Sequence, residues 1–156
     1  MTQEEAINAL NDLVRVCKDG ERGYMTAAGD VKNTELETLF LESSKQRGGY
    51  ARELQAEIER LGGSAVDSGT LSAALHRGWM DLKAELSGGD SAAIVAACET
   101  GEDCAQAAFE RVVNAGLSGK TLLIVEKQRN EIKAAHTHLL RLKEEASDGA
   151  KYPRNE

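Results

Sequence analysis

Several polar side chains in this 156-residue chain are spaced so that they face apolar stripes instead of water. In "CETGEDCAQAAFE", at about 100° per residue, Glu102 falls about 40° from Cys98, within the arc between Ile94 and Phe109. Glu99 and Asp103 swing to the flank and to solvent on the same count. Glu21 falls about 20° from Val14, in the middle of its own stripe. Ser43, Gln46 and Arg47 lie among Leu39, Phe40, Tyr50 and Leu54, while Gln128 and His136 straddle Ile132, with Arg129 at the edge. An ionised carboxylate is too costly to bury unless it is paired, protonated or bound to metal. The chemistry open to these residues is therefore ion pairing, hydrogen bonding or metal ligation, provided that the helices bring them to one level.

The elements that must do so can be read from period and caps. Thr2-x-x-Glu5 is a capping-box signature before the stripe Ile7, Leu10, Val14, Cys17, Tyr24 and Ala28. "DVKNT" closes this helix, and Thr34-x-x-Glu37 opens a second that runs to "LGG". A short helix with Leu71, Leu75, Trp79, Leu82 and Leu86 is predicted next. Asp90 or Ser91 caps a third long helix that stops at Gly116, and a fourth runs from near Ser118 to about Ala146. The sole proline, Pro153, lies beyond them. The expected organisation is an all-α domain over residues 1–146 with a flexible tail over 147–156. Four long helices, with an extended crossover carrying a short extra helix between the second and third, correspond to a ferritin-like up-down four-helix bundle. Counted from the two turns, the inward polar residues fall at one height and form a central layer.

Composition narrows the function classes. Hydrophobic residues make up 41% and aromatics only 4%, so the core is aliphatic. A net charge of −7 argues against nucleic acid. No apolar run approaches the ~18 residues of a membrane span, and the N-terminus does not read as a signal peptide. Cys17, Cys98 and Cys104 lack zinc spacing, and reduced thiols in a cytoplasmic protein are the expectation. No serine-protease-like triad, phosphate loop or dinucleotide motif is present.

"NDLVRVCKDGERGY", "ELQAEIERLGG", "ALHRGWMDLKAEL" and "CETGED" resemble a bacterial four-helix-bundle family known only as a domain of unknown function. That family is placed in the ferritin-like superfamily with rubrerythrin and bacterioferritin. The resemblance covers about residues 5 to 145. Ferritin-like di-iron proteins place a Glu on two helices and Glu-x-x-His on the other two. The resemblance matches Glu21 and Glu102 to the single carboxylates. The other two helices depart from the pattern, carrying Gln46-x-x-Gly49 and Gln128-x-x-Glu131, while Arg47 adds a fixed positive charge.

Three readings follow. In the first, no cofactor is expected. Glu21, Gln46, Arg47, Glu102 and Gln128 form a buried polar network that replaces the di-metal site in a non-catalytic bundle. Such a bundle acts through its surface as a stress-associated or interaction protein, with a homodimer as the assembly to expect. In the alternative, Glu21, Glu102, His136 and Glu131 form a reduced site for iron or manganese in a metal-binding protein or oxidoreductase. A third reading places a small apolar or cofactor ligand among Tyr24, Tyr50, Trp79 and Phe109. Glycines 20, 23, 29, 48, 49, 78 and 101 fall inside helices, each costing about 1 kcal/mol relative to alanine, which points to close helix approach or to a binding groove.

Overall fold

The computed structural model describes residues 1–67 and 91–151, with side chains as far as residue 145. Among the described residues four helices make up the bundle: α1 (Gln3–Asp30), α2 (Thr34–Arg60), α3 (Ser91–Val113) and α4 (Gly119–Lys151). No strand occurs among the described residues. The predicted helix around Trp79, with His76, Gly78 and the Asp90 cap, lies outside them.

Local chemistry sets the helix ends. Thr2 caps α1, its hydroxyl accepting from the Glu5 N–H at 3.1 Å. The cap of α2 is Asn33 and not Thr34, because the Asn33 side chain reaches the Leu36 N–H at 3.0 Å. Beyond α2, Gly62 takes the left-handed φ of +86° that ends the helix. Helix α4 continues through Lys151, past the Ala146 boundary read from the sequence, since nothing before Pro153 removes a backbone donor.

Side-chain contacts give the helix order. Tyr24, late in α1, meets Glu102 of α3, and Glu57, at the end of α2, meets Thr121 at the start of α4. Helix α3 is thus antiparallel to α1, and α4 to α2. The sequence runs up, down, down, up, so the connection between α2 and α3 must return the full length of the bundle. That is the topology with one long crossover.

The core has two parts. One apolar cluster gathers Leu10, Leu13 and Cys17 with Tyr50, Leu54, Ile58, Phe109 and Ile132. The other gathers Tyr24 and Ala27 with Leu39, Phe40, Ile94, Cys98 and Leu139. Along each helix the change of cluster leaves a gap, between residues 17 and 24, 40 and 50, 98 and 105, and 132 and 139. Glu21, Arg47, Glu102 and His136 all fall in these gaps. Burial of the two clusters drives folding, and it brings the four polar segments to one height as a consequence.

Candidate functional site

At the centre of the layer, Arg47 and Glu102 are each only 1% exposed. Arg47 Nη2 donates to Glu102 Oε1 at 2.5 Å, and the Tyr24 hydroxyl donates to the same oxygen. The guanidinium also lies over the Tyr24 ring, 5.6 Å from its centroid, and that ring packs against Phe40. Helix α1 leaves room for the arginine at Gly20, where a Cβ would meet Arg47 Cγ at 3.4 Å. Glu102 Oε2 and Arg47 Nε are buried without a partner among the described residues.

The electrostatics follow from burial and from this pairing. Burial raises the Tyr24 phenol well above its ordinary value, and the charge of Glu102 raises it further, so Tyr24 remains a proton donor. Burial works against the charge on Arg47, but Glu102, Tyr24 and Cys17 together outweigh it and the guanidinium stays protonated. Burial pushes the Cys17 thiol up to about 12 despite nearby Arg47, and burial raises Cys98 as well. Cys104 is only half-buried. The folded protein should therefore expose one thiol to an aromatic disulfide reagent, and the denatured chain all three. Two or three fast thiols in the folded protein would contradict this burial.

The remaining residues singled out by the sequence are scattered. Glu21 sits at the rim of the layer, its side chain 33% exposed and 3.9 Å from Lys18 Nζ. It reaches there because residue 48 is glycine; a Cβ at 48 would land on the Glu21 carboxylate. Gln46 is partly buried on the α2–α4 side, in the wall of a cavity. Gln128 is 1% exposed but lies outside the polar gap, donating to Glu53 at 3.0 Å and not to Glu102. Glu131 accepts from Tyr50 and lies 3.8 Å from Lys127. His136 Nε2 lies 3.8 Å from Asp103. Of the five network residues, only Arg47 and Glu102 are brought into direct contact. Tyr50 and Phe109 share one core cluster while Tyr24 belongs to the other, and Trp79 lies outside the described residues.

Sequence reasoning assigned Tyr24 and Tyr50 to the apolar stripes and missed that their hydroxyls hold Glu102 and Glu131. It also missed Glu57, 3% exposed, which accepts from Thr121 at 3.0 Å and from Arg60 Nε at 2.9 Å. Its position three residues after Leu54 was a usable signal, since that spacing keeps a residue on the same helix face.

A ferritin-like fold implies a di-iron or di-manganese centre, and the residues present do not fit one. The guanidinium of Arg47 already occupies the near oxygen of Glu102 and carries positive charge where a cation would sit. Glu21, Glu131 and His136 each have other neighbours. Among the described residues no three His, Cys, Asp or Glu side chains gather as a metal cluster.

The up-down-down-up order and the mid-bundle polar layer define a ferritin-like four-helix bundle. A solved dodecameric thioferritin, the bacterioferritin-related protein from Bacteroides fragilis, has the same fold with a TM-score of 0.76. The match covers 99% of this chain and 94% of that one at 16% identity. The chain belongs to the family described as Domain of unknown function (DUF2383), whose model matches residues 5–115. None of the curated proteins matches it. No helix among the described residues is long and apolar enough to cross a membrane.

Proposed function

We propose that this protein is a ferritin-like scaffold whose di-metal centre has been replaced by an ion pair, and that it acts through its surface as a self-associating, stress-associated or interaction protein. The Arg47–Glu102 pair carries the reading, both partners 1% exposed and 2.5 Å apart. A fixed guanidinium neutralises Glu102 without metal and repels a divalent cation from the same layer. The family and the fold neighbour are compatible with this role without specifying it. The neighbour is itself a dodecamer, which makes a homo-oligomer the assembly to look for here.

The test is elemental analysis of protein expressed with added iron, manganese or zinc, beside melting curves with and without EDTA. The scaffold reading expects substoichiometric metal and a melting temperature indifferent to EDTA. Near-stoichiometric metal that is lost in Glu102→Ala would overturn it. Light scattering on the same samples gives the assembly, and a strict monomer at all concentrations would remove self-association from the proposal.

A further inference from the structure

One side of the bundle is open. Helices α2 and α4 touch each other least among the neighbouring helix pairs, and cavities of about 370, 380 and 440 Å³ follow the seam between them. The hydrogen bonds Tyr50–Glu131 and Gln128–Glu53 fix how the two antiparallel helices align. Counted from those pairs, Lys127 lies about level with Leu54, Leu123 with Ile58, Lys120 with Leu61 and Leu142 with Leu39.

The two ends of the seam carry opposite charge. Towards the start of α2 it is lined by Glu35 and Glu42 and by no lysine or arginine. Towards the start of α4 it is lined by Lys120 and Lys127. The acids beside these lysines are engaged within the chain, Glu57 with Arg60 and Thr121, and Glu53 with Gln128. Glu35 and Glu42 are seven residues apart, and so are Lys120 and Lys127, two helical turns or about 10 Å in each case. Glu42 and Lys127 lie about 9 Å on either side of the level of Gly48, and Glu35 and Lys120 about 20 Å. The apolar shape follows the same symmetry. Leu123 stands 66% exposed at the basic end. At the matching distance on the acidic side, the cavity of about 370 Å³ is lined by Leu39 and Leu142.

We propose that a second copy of this chain covers the seam, related by a two-fold axis that crosses α2 and α4 near the level of Gly48. This rests on the self-association proposed above and assigns it a surface. Such an axis lays the basic end of each copy on the acidic end of the other. Lys127 then meets Glu42, Lys120 meets Glu35, and Leu123 enters the cavity between Leu39 and Leu142, each contact occurring twice. A two-fold parallel to the helices would instead set acid on acid. Ala134, exposed and close to the axis, is small enough to let the two α4 helices approach. Glu131, also near the axis, is held by Tyr50 and lies 3.8 Å from Lys127 of its own chain, so its charge is balanced within each copy. From Glu35 to Arg60 the seam is about 38 Å long, and two helices side by side are about 20 Å wide. Each copy therefore covers about 750 Å², close to the ~800 Å² per partner of a stable interface.

Sedimentation velocity of the full chain with paired charge reversals tests this. Glu42 and Lys127 are exposed, so Glu42→Lys and Lys127→Glu should each keep the parent melting temperature. Each variant alone is expected to self-associate about tenfold more weakly or worse, because like charges then face each other. An equimolar mixture should recover the parent dimer, since in the mixed dimer the two reversals face each other and the native pair remains opposite. Leu123→Asp should give a monomer, while Met25→Asp, on α1 and 55% exposed, should leave the dimer unchanged. Charge variants that associate as tightly as the parent would overturn this surface and leave self-association to another face. Weakening without recovery in the mixture would overturn it too, as an effect of the net charge of −7. A parent that stays monomeric at every concentration would overturn both this surface and the self-association it rests on.

Discussion

Arg47→Met is expected to destabilise the folded bundle by about 3–5 kcal/mol, the cost of leaving a buried carboxylate without its partner. Against a typical domain stability of about 5–15 kcal/mol, that is a large fraction. The cost arises because Glu102 is 1% exposed and would keep only the Tyr24 hydroxyl as a donor. Glu102→Leu alone should cost a similar amount, since it leaves the guanidinium buried instead. The double variant Arg47→Met/Glu102→Leu is expected to recover most of the loss, because two well-packed apolar side chains replace a desolvated pair at little net cost. Urea denaturation of the four proteins gives the coupling directly. Single-variant costs below about 1 kcal/mol would mean that the pair is solvated, contrary to its burial. Raised metal content in Arg47→Met would show that the arginine, and not the missing ligands, excludes the cation.

Glu57→Ala is expected to cost about 2 kcal/mol at neutral pH, in the range for buried hydrogen bonds to a charged group. Glu57 fastens the end of α2 to the start of α4 through Thr121, and both residues are buried. Hydrogen bonding from Arg60 lowers the Glu57 pKa below its ordinary 4.5, and the Thr121 hydroxyl adds to this. Arg60 is half-exposed, so solvent screens its share, and the Thr121 contact carries most of the expected effect. A carboxyl with a depressed folded-state pKa contributes stability above its unfolded value and loses it as pH falls through the folded value. The parent protein should therefore lose this part of its stability below about pH 4.5, and the gap to Glu57→Ala should close there. A gap that stays constant down to pH 3 would assign the effect to packing instead.

The central layer was legible in the sequence because helical period is a local property. Glu102 sits within an apolar arc whatever its partner is, and counting from the turns placed polar residues of all four helices near one height. The same count misplaced Glu21, because it treats every side chain as filling its own direction. The glycine at position 48 opens a notch through which the Glu21 carboxylate reaches the rim. Gln128 was read correctly as buried, yet its partner is Glu53, since the α2–α4 level depends on how far the two helices slide past each other. The sequence cannot show that sliding.

By itself, then, the sequence determined the four helices, their apolar faces, and the need for Glu102 to find a positive charge, a proton or a metal. Caps, period and the cost of desolvation act within a few residues, so they can be read along the chain. Tertiary structure alone decided which answer Glu102 received. Arg47 lies 55 residues away in the chain and Tyr24 lies 78 away, and both converge on one oxygen. That convergence depends on helix rotation and register, which are set when two separate apolar clusters close around the layer.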